Sequence, residues 1–128
     1  MQGLIFNVGD GDSDAVGRLV HTTSIDAIRA AHLEQRRLWV EIGARSDEGV
    51  ALLLETFGLH PLVVEDIFTD RSSPKIDPYP DYLYIVVHAL RPTSDPTRLE
   101  LVVLDIVVGK TFVLTQHRDG HPPDRMRA

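Results

Sequence analysis

Glu65 and Asp66 close the run Gly58-Leu-His-Pro-Leu-Val-Val-Glu-Asp-Ile67, and their types and spacing suit chemistry better than packing. Adjacent carboxylates on one side of a short helix offer hard oxygen donors. A cation that takes few protein ligands and keeps its waters fits such a pair, and Mg²⁺ is that kind of ion. Two carboxylates cannot complete a coordination shell, so binding is expected to be weak. These two residues are the metal candidates of the chain.

Other constellations carry less. Asp10-Gly-Asp12-Ser-Asp14 resembles the opening of a calcium loop. The required glycine falls on Ala15 and the closing glutamate on His21, so a solvated turn is the better reading. Gly109-Lys110-Thr111 ends like a phosphate-binding loop, but its leading glycine would be Leu104 and it lies between strands. His117 and His121 flank Asp119 and could hold a transition metal, although the neighbouring Gly120 and Pro122 disfavour helical stacking. His88 lies on the face of Tyr82, Tyr84 and Val86 and reads as a hydrogen-bonded core histidine. Asp105 reads as a partnered structural carboxylate. A catalytic His88–Asp105 pair would need a nucleophile, and no Ser or Cys is placed to serve it. No catalytic residue and no organic-cofactor fingerprint is assigned.

The elements that must position Glu65 and Asp66 are legible from periodicity. Leu4 to Phe6 and Gly17 to His21 read as short strands, and Thr23 or Ser24 can cap a helix over 24–35. Arg37 to Ile42 alternates, with Leu38, Val40 and Ile42 on one face. Trp39 on the other face suggests that this face is covered too. Ser46 opens a helix over 47–57, with Val50, Leu53, Leu54 and Phe57 on one stripe and Gly58 as its stop. Pro61 suits the first position of the next helix, over 61–68. That helix buries Val63, Val64, Ile67 and Phe68 and turns Leu62, Glu65, Asp66 and Thr69 the other way. Residues 70–80 read as proline-rich turn. Strands follow at 82–90, 99–108 and 111–116, the last two joined by Gly109-Lys110 as a two-residue hairpin. The strands after residue 98 carry apolar residues on both faces, as in a sheet covered on both sides. Helices are available for one side alone. A further helical layer is therefore expected to begin near Pro122, and the 128 residues are expected to self-associate or to lose order after about Gln116.

Composition narrows the function classes. The chain has 128 residues, no cysteine and a net charge of −6, which suits one globular domain without disulfides or thiolate metal sites. Residues 41–81 hold nine Asp or Glu against Arg45, Arg71 and Lys75. An acidic centre without a basic stripe disfavours nucleic acid as a partner. No apolar run approaches the roughly 18 residues of a membrane span. The start lacks a signal peptide's features, so an intracellular, soluble domain is expected.

Several ordered blocks resemble one family. They are Phe57-Gly-Leu-His-Pro-Leu-Val-Val-Glu-Asp-Ile67, Pro74-Lys-Ile-Asp77, Asp81-Tyr-Leu-Tyr-Ile-Val-Val-His88, Leu104-Asp-Ile-Val-Val-Gly-Lys-Thr-Phe-Val-Leu-Thr115 and His117. Over about residues 37–128 they are similar to the cytosolic N-terminal domain of CorA-type magnesium transporters. The resemblance implies an α/β/α sandwich, with a mixed sheet and a second helical layer truncated here at the C-terminus. It implies Glu65 and Asp66 at an inter-subunit cation site whose facing carboxylate lies on a stalk helix. It also implies a homo-oligomer, pentameric at full length, whose stalk and membrane helices follow the cytosolic domain on the inner side of the cell membrane. Stalk, membrane helices and the family's Gly-Met-Asn signature are absent from these residues, so the chain alone is not expected to transport.

The expectation is thus a metal-sensing, non-enzymatic domain of a CorA-like channel for divalent cations, with Mg²⁺ foremost. A Zn²⁺ or Co²⁺ transporter domain of the same family is the alternative, although the donors here are oxygens only. A stand-alone binding or scaffold domain of that fold is the other.

Overall fold

A computed structural model describes residues 1–7, 18–69 and 73–121. The elements follow as β1 (Gln2–Asn7), β2 (Arg18–Thr22), α1 (Ile25–Leu33), β3 (Arg37–Glu41) and α2 (Asp47–Ala51). A π-helical turn (Leu52–Thr56) leads to α3 (Pro61–Ile67), then β4 (Lys75–Pro78), β5 (Tyr82–Pro92), β6 (Leu99–Gly109) and β7 (Phe112–His121). The strands form one mixed sheet in the order β2-β1-β3-β7-β6-β5-β4. Its neighbours are antiparallel except β3 and β7, which run parallel and pair Glu41 with Thr115. The expected α/β class with a mixed sheet is what the chain adopts.

One side of the sheet holds the core. Leu38, Val40, Tyr84, Val86, Val107 and Leu114 are buried against Ile28, Leu52, Leu53, Val63 and Ile67 of the helical segments. The alternate strand residues face away. Trp39 is 45% exposed, Ile76 68%, Leu83 40% and Val87 37%, so the second face is open among the described residues. Trp39 satisfies its indole there by donating from Nε1 to Thr115 Oγ1 at 2.8 Å.

Local signals explain the helix boundaries. Ser24, not Thr23, caps α1 by accepting from the Ala27 amide, and Ser46 caps α2 by accepting from the Gly49 amide. Gly58 stops the second helical stretch with φ of 65°, a backbone region that costs a Cβ-bearing residue strain.

Four expectations change. The helix over 47–57 is not uniformly α: after Ala51 it widens, and the Phe57 amide donates to the Leu52 carbonyl at 3.1 Å. Leu52 and Leu53 are the fully buried leucines of this stretch, both at 0% exposure, while Val50 and Leu54 of the expected stripe are half-buried. The stretch read as proline-rich turn contains β4, an edge strand whose Pro78 is tolerable because its missing amide falls at the strand end. The last strand runs to His121, beyond Gln116, because β6 is long enough to pair with it as far as Leu101. The final hairpin is wider than two residues: its last pair is Val108 with Val113, and the Phe112 ring packs over Gly109. The acidic run 10–14 and the helix expected from Pro122 lie outside the described residues.

Candidate functional site

The short helix α3 is fixed at both ends and along its inner side. Pro61 occupies its first turn, and His60 caps it by accepting the Leu62 amide on Nδ1 at 3.1 Å. The His60 amide donates to the Tyr82 hydroxyl at 2.9 Å, tying the helix start to β5. Burial holds the Tyr82 phenol above its usual pKa, so the hydroxyl stays protonated while it accepts that bond. Stacking of Tyr79 on Tyr82, with ring centres 4.7 Å apart, shields the junction. At the far end Thr69 Oγ1 donates to the Glu65 carbonyl at 2.7 Å. Val63, Val64 and Ile67 are buried beneath.

That anchoring leaves Leu62 60% exposed, Glu65 exposed, and Asp66 and Thr69 half-buried on the solvent side. The sequence placed these four on one face, and the structure does the same. Glu65 and Asp66 stand next to each other, but among the described residues no third His, Asp or Glu joins them in a ligand set. Their oxygens fit a hard cation in donor type, and in number they form part of a site.

The structure adds a residue that sequence reasoning missed. Lys75 of β4 reaches across to α3, with Nζ donating to Asp66 Oδ2 at 2.8 Å and lying 3.5 Å from Asp77 Oδ2. Its ammonium also lies 5.2 Å from the centre of the Tyr84 ring. The hydrogen bond to Asp66, with the charges of Asp66 and Asp77, raises the Lys75 pKa against the opposing effect of burial. The available signal was the alternation Lys75-Ile76-Asp77-Pro78, which puts Lys75 and Asp77 on the helix-facing side.

The remaining candidates separate. Asp105, at 2% exposure, accepts a hydrogen bond from the Tyr84 hydroxyl at 3.2 Å and is a partnered core carboxylate, as expected. His88 is half-buried on the adjacent strand opposite Val103. His117 Nδ1 lies 3.2 Å from Glu41 Oε1, because the parallel pairing of β3 and β7 brings those two strands together. The side chains of Asp119 and His121, its suggested companions, lie outside the described ones. Among the described residues no helix is long and apolar enough to cross a membrane.

Comparison with known proteins decides the family. Residues 34–126 match the family model described as "CorA-like Mg2+ transporter protein". The chain belongs to the CorA-like family. Its relatives include the candidate metal ion transporter YfjQ of Bacillus subtilis, 39% identical over 66% of this chain and 25% of its own length. The cobalt/magnesium transport protein CorA of Thermotoga maritima is 28% identical over 83% of this chain and 31% of its own length. Among solved structures, the soluble domain of CorA from Methanocaldococcus jannaschii superposes with a TM-score of 0.56 at 16% identity. That match covers 99% of this chain and 44% of the other. Full-length CmaX superposes with a TM-score of 0.59 at 19% identity, over 91% of this chain and 34% of that one. These two likenesses bear on fold alone. The chain therefore spans about a quarter to a third of the length of these curated relatives. Membership in a family of transporters agrees with the expectation of a non-enzymatic domain.

Proposed function

We propose that this chain is the cytosolic regulatory domain of a CorA-like divalent-cation channel, and that Glu65 and Asp66 supply half of a Mg²⁺ site. The observation that carries this reading is two adjacent carboxylates on the solvent side of a firmly anchored helix, with no third ligand beside them among the described residues. A half-site of that kind is completed by another surface. In a homo-oligomer, pentameric in this reading, the neighbouring subunit's stalk provides it. Transport itself belongs to membrane helices outside these residues.

The mechanism is linkage. An ion held jointly by Glu65, Asp66 and a neighbouring subunit binds only when the subunits are close, so it stabilises that arrangement. As cytosolic Mg²⁺ falls, Glu65 and Asp66 lose it and the domains separate. Mg²⁺ is favoured over Zn²⁺ because the donors are carboxylate oxygens. The Thermotoga relative's name pairs cobalt with magnesium, which supports Co²⁺ as the second ion.

The test uses the longer gene product. Asp66→Ala should stay folded, because the Lys75–Asp66 pair keeps more than a third of each side chain in solvent and such a pair contributes at most about 1 kcal/mol. It should also stay active at Mg²⁺ levels that silence the wild type, since the differential affinity holding the closed state is reduced. Unchanged Mg²⁺ inhibition in a well-folded variant would remove Asp66 from the sensor. A reading frame that stops at Ala128 would favour a stand-alone binding domain instead.

A further inference from the structure

We propose that Lys75 is a tethered counter-cation that occupies Asp66 until a divalent ion displaces it to Asp77. The inference deepens the proposed function and rests on Asp66 being a metal ligand. An ordinary surface lysine samples many rotamers and contributes little to any one pair. Lys75 is held more firmly. Its Nζ contacts Asp66 at 2.8 Å, Asp77 at 3.5 Å and the Tyr84 π face at 5.2 Å. Tyr84 is itself fully buried and anchored through its hydroxyl to Asp105, so the platform under the ammonium does not move.

The ammonium and a metal ion compete for one oxygen environment. A Mg²⁺ ligand oxygen lies about 2.1 Å from the ion, and the Lys75 Nζ already lies 2.8 Å from Asp66 Oδ2. Two cations that close repel strongly, even under the screening of a protein surface. Asp77 offers the second seat: a small swing of the lysine head exchanges one carboxylate for the other without leaving the Tyr84 face. With Lys75 on Asp66, the metal-free surface carries less uncompensated negative charge. With Lys75 on Asp77, Asp66 Oδ2 gives up its ammonium contact and can turn toward the ion. A monovalent cation trading places with an ammonium gains no charge, whereas a divalent one does, so the exchange favours divalent ions and weakens their apparent affinity. Lys75 thereby sets the concentration at which the site responds.

The experiment needs no transport. Mn²⁺ binding to the 128-residue chain is followed by water-proton relaxation, with Mg²⁺ as competitor, in wild type, Lys75→Gln, Lys75→Arg and Asp66→Asn. Lys75→Gln should bind Mn²⁺ about five-fold tighter, the scale of a lost surface ion pair. Adding Asp66→Asn should abolish the gain, and Lys75→Arg should stay near wild type. Equal affinity in wild type and Lys75→Gln, both weakened by Asp66→Asn, would overturn the competition and leave the metal half-site standing. Binding that ignores Asp66→Asn in every background would overturn both. Should Lys75→Gln fail to fold, NMR on the wild-type chain decides. The Lys75 Nζ resonance should shift along the same Mg²⁺ titration curve as the Asp66 carboxyl carbon. A Lys75 signal that stays fixed while Asp66 moves would sink the proposal.

Discussion

His32 shows how a side chain away from the candidate site sets behaviour. Its ring lies 4.6 Å from Phe57 and 5.2 Å from Phe112, centre to centre, and its buried Nδ1 has no hydrogen-bond partner among the described residues. Burial lowers its pKa from the ordinary 6.5. The folded chain then holds fewer protons than the unfolded chain below about pH 6.5, so the stability contribution is complete above that pH. It declines as pH falls through the depressed folded pKa. His32→Leu should therefore lose less stability than wild type between pH 7 and pH 5, read from urea midpoints. Parallel pH curves for the two proteins would contradict this. At the candidate helix, Val64→Asp should cost more than about 3 kcal/mol because it buries an unpaired charge under α3. Thermal melting checks it; a melting temperature close to wild type would mean that α3 is not packed as described.

At the scale of elements, the site depends on how the chain passes from the π-helical turn into α3. Gly58 makes that passage with φ of 65°, and among the described residues nothing lies within 4 Å of the place a Cβ would take. The cost of Gly58→Ala is therefore backbone strain without a clash, about 1 kcal/mol. Chemical denaturation should show that loss with an unchanged m-value. The π turn belongs to the same scale. It carries Leu52 and Leu53, both fully buried, shortly before residues 58–60. Tyr82 then clamps the His60 amide, so β5 fixes the start of the helix that carries Glu65 and Asp66. Tyr82→Phe should loosen that start by about 1 kcal/mol, the scale of a lost hydrogen bond that is only part-buried. Hydrogen exchange at His60 should report it more strongly than exchange at Leu114 in the sheet centre.

For the whole molecule, the sheet has one face packed under helices and one that displays Trp39, Ile76, Leu83 and Val87. A contiguous apolar face of this kind drives association. Produced as these 128 residues, the chain should pair with a second copy through that face. Trp39 is the single tryptophan, so its emission reports the event directly. Emission should shift to shorter wavelength as concentration rises, together with the mass from light scattering. Leu83→Lys with Val87→Glu should suppress both changes. A monomer at every concentration, with Trp39 emission independent of dilution, would show that the face needs no cover.

By itself the sequence determined what local chemistry dictates. Serine caps, the Gly58 stop and Pro61 placed the helices, because backbone preferences act within a few residues. Alternation in 37–42 and 82–108 placed the strands and their inner faces, since the pleat turns every second side chain the same way. It also put Glu65 and Asp66 on the outer side of α3. Only the tertiary structure decided the rest. The parallel pairing of β3 with β7 joins residues more than seventy positions apart, and it brings Glu41 to His117. The widened turn at Leu52–Thr56 was invisible because an apolar stripe has the same letters in an α or a π register. The contact of Lys75 with Asp66 was not legible because β4 lies among prolines and takes its edge position only by pairing with β5. Side chains so placed are brought together by the sheet order, which no short-range pattern encodes.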